Sequence, residues 1–228
     1  MKTTVIIVRH CEAEGNIKRF FQGHTDGQIS ERGAAQLKLL SEKLRGTAID
    51  AVYSSPLSRA MATAQAINDG RDLPIITDPR LIEINGGILE GMPWNDLPEK
   101  YPELAADWNL KPWDFAAPEG ESMRQVYNRI SSAVLDIASQ NCGKTIAAAS
   151  HGCAIRCLMC WAKKMPIEKL NDVDWCDNTG INIIEFDEKF NPTVVCENDR
   201  SHLEYGMSAM DSQTWWRAEN RDKIDFSN

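Results

Sequence analysis

Two of the four histidines follow directly on segments that predict buried β-strands. Residues 5–8 form a β-branched run without polar alternation, and Arg9 and His10 follow it. Residues 144–150 form another apolar run, and His151 comes directly after it. Ligands of open α/β sheets bind beyond the carboxyl ends of the strands. We therefore expect both histidines at one edge of a sheet.

Further polar side chains are expected at the same edge. Ser54 and Ser55 follow a second predicted strand and lead to Arg59, and Glu83 falls near the end of a third extended stretch. Guanidinium groups present planar forks of donors that match a phosphate group. One neutral imidazole can attack phosphorus, a second can donate to the phosphoryl oxygens, and a carboxyl group can protonate the leaving oxygen. Phosphoryl transfer depends mainly on positioning and charge stabilisation, so this set predicts a phosphoryl-transfer site.

The segments that must position these side chains alternate between strand and helix patterns. Apolar residues at helical spacing predict helices at residues 31–45, 57–68, 121–140 and 152–162. Extended apolar segments predict strands at residues 5–8, 49–53, 75–84, 144–150, 181–186 and 193–196. This alternation predicts an α/β fold with three layers, α/β/α, around a mostly parallel central sheet.

Residues 86–120 differ in character from this alternating core. They contain Trp94, Trp108 and Trp113 and five of the ten prolines, with only short helical fragments. Linkers lack aromatic residues, so the segment is predicted to be a small helical cap inserted into the core.

The chain is predicted to form a single domain over residues 1–228, because its length allows one large domain with an insertion. A C-terminal extension, from about residue 201 to residue 228, lies outside the strand–helix pattern. Trp215 and Trp216 stand among charged residues in this extension, for which a lid, an interface and a frayed end are open alternatives. The oligomeric state is also open, with a homodimer as one alternative.

The composition argues against several classes of partner. A formal net charge of −8 and a pI near 5.1 lack the basic face that a nucleic-acid binder needs. The apolar run near the N-terminus stops at Arg9, too early for a signal-peptide core or a membrane span. Seven cysteines without regular spacing are typical of reduced thiols, and Cys157 and Cys160 are expected to be buried on a helix. We therefore expect a cytoplasmic protein that binds a small molecule, with no nucleic acid or membrane as partner.

The residues around the histidines resemble the motifs of a known family. Arg9, His10, Cys11 and Glu12 are similar to the Arg-His-Gly-Glu signature of the histidine phosphatase superfamily, the phosphoglycerate-mutase-like proteins. The resemblance extends over roughly residues 3–190, and its strength lies in the order of the pieces. The further matching pieces are Asn16, residues 20–23, Asp26, residues 31–36, residues 54–60, Thr63, Ala64, residues 81–83, Glu90, Gly91, residues 120–122 and residues 150–152.

The resemblance implies a two-step reaction in which a phosphoryl group moves to His10 and then to water. It implies that Glu83 first protonates the leaving group and then activates the water. The implied phosphate pocket is formed by Arg9, Arg59 and His151 and is lined by Asn16, Gln22 and Gly23. The resemblance implies no metal and no other cofactor, because cationic side chains neutralise the phosphate.

Cys11 stands where the family usually has glycine. Glycine at such a position allows close backbone approach or unusual backbone angles. The cysteine side chain could narrow the pocket, point away into the core, or make the site oxidisable if neighbouring cations lower its pKa. A tolerated substitution is favoured over impaired catalysis.

Other assignments stay open at the level of sequence. Glu12, Glu90 and Glu121 compete with Glu83 for the role of the acid, and Glu83 is favoured. A metal-independent phosphomonoesterase acting on a small phosphorylated metabolite is the favoured function. A phosphoglycerate mutase using the same site is the main alternative, although mutases of this family usually carry a longer insertion after the third strand. A catalytically silent phosphate-binding protein is a further alternative, and the sequence does not define the substrate.

Overall fold

Six β-strands form one mixed sheet in the computed structural model, which describes residues 1–212. The strands are β1 (Thr3–Arg9), β2 (Ala51–Ser54), β3 (Ile75–Thr77), β4 (Thr145–Ser150), β5 (Ile181–Phe186) and β6 (Pro192–Asp199). Their order across the sheet is β3-β2-β4-β1-β5-β6. Neighbours among β1 to β4 run parallel, whereas β5 is antiparallel to both β1 and β6. The predicted α/β class with a mostly parallel central sheet is confirmed.

Helices cover both faces of this sheet. They are α1 (Glu14–Lys18), α2 (Glu31–Leu44), α3 (Ser58–Ile67), α4 (Leu97–Lys100), α5 (Pro102–Leu110), α6 (Met123–Gln140), α7 (Gly152–Ala162) and α8 (Ala209–Ser212). Ile6 and Val8 of β1 share a core cluster with Leu40 of α2, whereas Val5 and Ile7 share another with α6 and α7. Successive side chains of a strand point to opposite faces, so this double burial explains the absence of polar alternation. No helix within residues 1–212 is long and apolar enough to span a membrane.

The third extended segment is shorter than the sequence predicts. The pattern predicts a strand over residues 75–84, but β3 ends at Thr77 and Pro79–Leu81 forms a 3-10 turn. The Asp78 carboxylate accepts a hydrogen bond from a backbone N–H within this turn, and the proline at its start has no N–H with which to continue strand pairing. Glu83 therefore lies in a loop beyond the strand and not at the strand's end.

Residues 86–120 form short helical turns that include α4 and α5. Trp108 and Phe115 are buried in the same core cluster as α6 and α7, and Trp94 packs against that cluster. The segment therefore sits on the α6–α7 face of the sheet, where its aromatic side chains join the core.

The chain beyond β6 returns to α2. The side chain of Gln36 donates to the Met207 carbonyl at 2.7 Å, and Lys43 donates to the Ser201 hydroxyl at 2.8 Å. These contacts attach the described part of the C-terminal extension to the core. Trp215 and Trp216 lie outside the described residues.

Candidate active site

His10 and His151 lie side by side at the carboxyl ends of two neighbouring strands. β1 and β4 are parallel, and their register pairs Arg9 with Ser150. The backbone N–H of His10 donates to the Ser150 carbonyl at 2.9 Å. A histidine directly follows each of these paired residues, and the centroids of the two histidine rings are 5.1 Å apart. Both side chains are buried.

The hydrogen bonding of His10 determines which ring nitrogen can react. Its Nδ1 lies 2.7 Å from the Cys11 carbonyl oxygen, which can only accept, so Nδ1 carries the proton and Nε2 carries the lone pair. Burial, and then the positive charges of Arg59 and Arg9, lower the pKa of His10 well below its ordinary value. The ring is therefore neutral at physiological pH, and Nε2 is available as a nucleophile.

His151 occupies the position directly before α7, and its side chain is oriented by Ser55. Its Nε2 lies 2.7 Å from the Ser55 hydroxyl, which also accepts a hydrogen bond from the Leu57 N–H at 3.4 Å. With the Ser55 proton directed to Nε2, Nδ1 carries the ring proton. Burial, and then the charge of Arg59 and the neighbouring His10, lower the pKa of His151 well below its ordinary value. His151 is thus a neutral donor.

Four buried nitrogens of the sequence-predicted pocket have no hydrogen-bond partner within the described residues. They are Nε of Arg9, Nε of Arg59, Nδ1 of His151 and Nε2 of Gln22. Leaving one buried donor unpaired costs about 1–3 kcal/mol, so a cluster of them is better explained by a ligand than by the fold. Two guanidinium groups and two neutral donors suit a phosphoryl group, whose oxygens accept. Within residues 1–212, no group of three or more His, Cys, Asp or Glu side chains is arranged to hold a metal ion.

Arg59 also supports the loop that follows α1. It is fully buried, and its Nη1 donates to the Thr25 carbonyl at 2.9 Å. Its Nη2 donates to the carbonyls of Gly23 at 2.7 Å and Gln22 at 3.3 Å. A Cβ on Gly23 would lie 2.1 Å from the Ile84 carbonyl, so only glycine fits there. Gly23 therefore acts through its backbone and does not line the cavity next to His10.

Glu83 is the single carboxylate among the described residues that lines this cavity. Its Oε2 accepts from the N–H of Cys153 at 3.0 Å, and its Oε1 accepts from the N–H groups of Ala154 and Ile84, each at 3.0 Å. Two of these donors belong to the first turn of α7, which fixes the position of the Glu83 side chain. Glu83 is thereby held beside His151 although it does not end a strand.

The three competing glutamates bind partners elsewhere. Glu12 is buried and forms an ion pair with an arginine of α2. Glu90 accepts hydrogen bonds from the loop that Arg59 supports, and Glu121 forms an ion pair with an arginine of α6. None of the three lines the cavity. The geometry therefore favours Glu83 for the acid.

The cavity has a volume of about 100 Å³. Arg9, His10 and Glu83 line it, and the structure places Asn16 and Gln22 in its wall as well. Arg59 and His151 are fully buried and do not line the cavity. The predicted site residues are thus brought together, with some in the wall and others behind it.

An aromatic wall completes the cavity. The ring centroids of Phe21 and Trp94 are 4.9 Å apart, those of Trp94 and Trp108 are 5.1 Å apart, and those of Trp108 and Trp175 are 6.1 Å apart. Trp175 and Arg19 also line the cavity, and the sequence did not predict either of them as a site residue. These residues belong to segments that meet only in the fold, so no local motif marks them. The aromatic wall suits an apolar part of a leaving group.

Cys11 lies against α3 and does not line the cavity. Its side chain is fully buried, its N–H donates to the Thr63 hydroxyl at 3.0 Å, and its sulfur lies 3.9 Å from the Arg59 carbonyl. Burial raises the pKa of the Cys11 thiol to about 11. The alternatives of a narrowed pocket and of a thiol with a lowered pKa are therefore wrong, and the side chain points into the core.

Comparison with known proteins places these features in context. The sequence model of the histidine phosphatase superfamily (branch 1) matches residues 5–200. Phosphoserine phosphatase 1 of Hydrogenobacter thermophilus is 34% identical over 199 residues, which cover 87% of this chain and 93% of that protein. Probable phosphoglycerate mutase GpmB of Yersinia pestis is 34% identical over 155 residues, which cover 68% of this chain and 72% of that protein.

Solved structures of related proteins have a similar fold. YhfR of Bacillus stearothermophilus superposes with a TM-score of 0.84 at 31% identity, covering 89% of this chain and all of that one. Phosphoserine phosphatase of Entamoeba histolytica in complex with 3-phosphoglyceric acid has a TM-score of 0.75 at 28% identity, with 89% of this chain and 100% of that chain covered.

Proposed function

Because the chain belongs to the histidine phosphatase superfamily (branch 1), we propose that it hydrolyses the phosphate ester of a small metabolite through a phosphohistidine on His10. The observation that carries this proposal is the set of unpaired buried donors on Arg9, Arg59 and His151 beside a neutral His10. The neutral imidazole supplies the nucleophile. The fixed donors supply the stabilisation of charge on which phosphoryl transfer depends.

In the first step, the lone pair on Nε2 of His10 forms a bond to phosphorus while the bond from phosphorus to the ester oxygen breaks. The Nδ1–H of His10 keeps its hydrogen bond to the Cys11 carbonyl, which orients the ring as positive charge develops on it. Glu83 gives its proton to the departing oxygen, so that a neutral alcohol leaves. Arg9 donates to the phosphoryl oxygens from the cavity wall, and the buried donors of Arg59 and His151 bind them once the phosphoryl group displaces the side chains that separate them from the cavity.

In the second step, water attacks phosphorus and the bond from phosphorus to Nε2 breaks. Glu83, now a carboxylate, takes a proton from this water. The backbone N–H groups that bind its oxygens hold it in place between the two steps. His10 returns to its neutral form and inorganic phosphate leaves, so the site is restored without any redox change.

A phosphoglycerate mutase is the second candidate, because a relative named for that activity is 34% identical. The same phosphohistidine would then pass its phosphoryl group to a phosphorylated acid instead of water. Residues 86–120 are shorter than the insertion usual in mutases, which favours hydrolysis. Incubation with 3-phosphoglycerate, with and without 2,3-bisphosphoglycerate, separates the two: isomerisation faster than phosphate release would establish the mutase.

The cavity favours a short leaving group. The cavity volume of about 100 Å³ is small beside the roughly 300–1,000 Å³ of typical ligand pockets, and part of the wall is aromatic. Phosphoserine and 3-phosphoglyceric acid are named for related proteins, so they are the first substrates to test. Sugar phosphates and nucleoside monophosphates complete the panel as larger esters.

The variant His10→Asn tests the proposed intermediate. Asparagine can still donate to the Cys11 carbonyl but offers no nucleophile, so turnover of phosphoserine and of p-nitrophenyl phosphate should be abolished. The wild-type protein, quenched during turnover, should contain an acid-labile and base-stable phosphoryl group that the variant lacks. Ser41→Ala is the control, because the Ser41 hydroxyl contacts Asp69 outside the cavity, and it should keep the wild-type turnover. Most of the wild-type turnover persisting in His10→Asn would contradict the proposal.

A further inference from the structure

Asp177 is a fully buried carboxylate that the proposed mechanism does not use. It lies in the loop of residues 173–180 that leads into β5, and this loop contacts the end of β1. Its Oδ1 accepts from the N–H of Asn178 at 2.8 Å, and its Oδ2 accepts from the hydroxyl of Ser208. The guanidinium of Arg200 lies 3.5 Å from Oδ2. A buried charge is retained only when it is paired and hydrogen-bonded in this way, so the carboxylate fixes the loop that contains it.

The two residues after Asp177 hold the backbone of the nucleophile. The side-chain amide of Asn178 donates to the His10 carbonyl at 2.9 Å. The N–H of Thr179 donates to the Arg9 carbonyl at 3.1 Å and approaches the His10 carbonyl at 3.4 Å. The peptide groups of Arg9 and His10 are therefore held in place by hydrogen bonds from this loop.

The partners of Asp177 come from the chain beyond β6. Ser208 is 3% exposed and bridges Asp177 to Arg200, whose Nη1 donates to the Ser208 hydroxyl at 2.9 Å. The neighbouring Met207 carbonyl accepts from Gln36, and the Oε1 of the same glutamine accepts from the N–H of Glu12 at 2.9 Å. The segment from residue 200 to residue 208 is thus connected to the chain around His10 at two points. One connection runs through Asp177 and Asn178 to His10, and the other runs through Gln36 to Glu12.

We propose that Asp177, supported by Ser208 and Arg200, is a positioning residue that holds Asn178 and Thr179 against the backbone of the nucleophile. The inference rests on the proposed function, because it assigns this support to the phosphorylation of His10. In-line attack requires Nε2 to be held close to phosphorus, and a misplacement of about 1 Å costs on the order of 10²-fold in rate. The described part of the C-terminal extension thereby acts as an internal brace of the active site.

Removing the contacts of Asp177 should lower the rate of phosphoryl transfer more than the affinity for phosphate. The donors of Arg59, His151 and Gln22 do not contact Asp177 or its partners and still bind the phosphoryl group. Arg9 is the phosphate-binding residue that the loop contacts directly, through the Thr179 N–H and the Cys176 carbonyl. The position of His10 Nε2, in contrast, depends on the loop that Asp177 fixes. We expect kcat and the single-turnover rate of His10 phosphorylation to fall by a larger factor than the factor by which the inhibition constant for inorganic phosphate rises.

The test is Ser208→Ala, assayed with p-nitrophenyl phosphate and with the best ester of the panel. We expect kcat to fall about tenfold, a fraction of the effect of a full 1 Å displacement. Ser41→Ala is the matched control. Ser41 lies on α2 outside the cavity, and its hydroxyl donates to the Asp69 carboxylate at 2.6 Å. It removes the same type of hydrogen bond and should leave kcat at the wild-type value. Equal relative losses of kcat in the two variants would show general destabilisation and would overturn the proposal.

Arg200→Gln provides a second variant, because Arg200 is 43% exposed and its replacement leaves the core intact. It should also lower kcat, by a smaller factor than Ser208→Ala does, and again the change in the inhibition constant for phosphate should be smaller than the change in kcat. Full kcat in both Ser208→Ala and Arg200→Gln, or a loss that appears only in phosphate binding, would overturn the positioning role. Absence of turnover in the wild-type protein on every ester would overturn the proposed function itself, and the inference with it.

Discussion

Lowering the pH from 6.5 to 5.5 should destabilise the free protein through His10 and His151. Burial, together with the charges of Arg59 and Arg9, lowers the pKa of both rings well below the ordinary value. In the unfolded chain the same histidines have a pKa near 6.5. Between pH 6.5 and the native pKa values, the unfolded state therefore binds protons that the native state does not bind. The stability contributed by the neutral rings is complete above pH 6.5 and is lost as the pH falls towards the native pKa values.

The size of this effect follows from proton linkage. For each ring that stays neutral in the native state, the free energy of unfolding falls by about 1.4 kcal/mol per pH unit well below pH 6.5. Half of the unfolded rings are already protonated at pH 6.5, so the first unit costs about 1 kcal/mol per ring and about 2 kcal/mol for the pair. That loss is readily measured against a total stability of about 5–15 kcal/mol.

Urea unfolding at pH 6.5 and pH 5.5 measures the loss, in buffer without phosphate because phosphate would bind the native state alone. His10→Asn retains the donor to the Cys11 carbonyl but does not titrate, so the difference between the two pH values should shrink by about 1 kcal/mol. His151→Gln should shrink it by a similar amount, and the double variant by about 2 kcal/mol. An unchanged difference in His10→Asn would show that native His10 takes up a proton in this range, which would refute the assignment of Nε2 as a free nucleophile.

Three further predictions concern the site. Arg59→Lys should lower kcat/KM by about 10²–10³, because one ammonium cannot replace the Nε donor and also hold the carbonyls of Gln22 and Gly23. Glu83→Gln should lower kcat by about 10²–10⁴ for alkyl phosphates but far less for p-nitrophenyl phosphate, whose leaving group needs no proton. Mild treatment with hydrogen peroxide should leave activity unchanged in the wild type and in Cys11→Ser, because burial raises the pKa of the Cys11 thiol to about 11.

Each of these has a control within the chain. Arg71→Lys is the control for Arg59, since Arg71 also donates to backbone carbonyls but lies away from the cavity, and it should retain full activity. Glu121→Gln is the control for Glu83, and equal sensitivity of both variants to the leaving group would exclude Glu83 as the acid. If hydrogen peroxide inactivates the wild type but not Cys11→Ser, the prediction that the Cys11 thiol is unreactive is wrong.

The sequence predicted the strands around the site well because they are buried on both faces. β1 and β4 are covered by helices on each side, so their apolar runs are unbroken and their ends are marked by charged or polar residues. The third strand was predicted too long, because apolar residues continue past Pro79–Leu81 although the chain turns there. Glu83 was nevertheless found through its motif. Its actual support is the first turn of α7, which no local pattern reveals.

Residues that act through distant contacts escaped sequence reasoning. Trp175 lines the cavity only because the loop before β5 packs against the cap, and Asp177 supports His10 from 167 residues further along the chain. Neither lies in a segment with helical or strand periodicity. Local motifs record the groups that touch a ligand, whereas the partners that position those groups are defined by packing between remote segments.

The neutral state of both histidines also explains how an acidic protein can release phosphate. With His10 and His151 uncharged, the positive charge of the pocket comes from arginines, since Arg9 and Arg19 line the cavity and Arg59 lies behind its wall. Protonated histidines would add two further charges and would bind the product phosphate more tightly, besides removing the nucleophile. The net charge of −8 therefore describes the outer surface, while burial sets the charge of the pocket. One physical cause, desolvation of two rings at the ends of β1 and β4, thus serves both nucleophilic attack and product release.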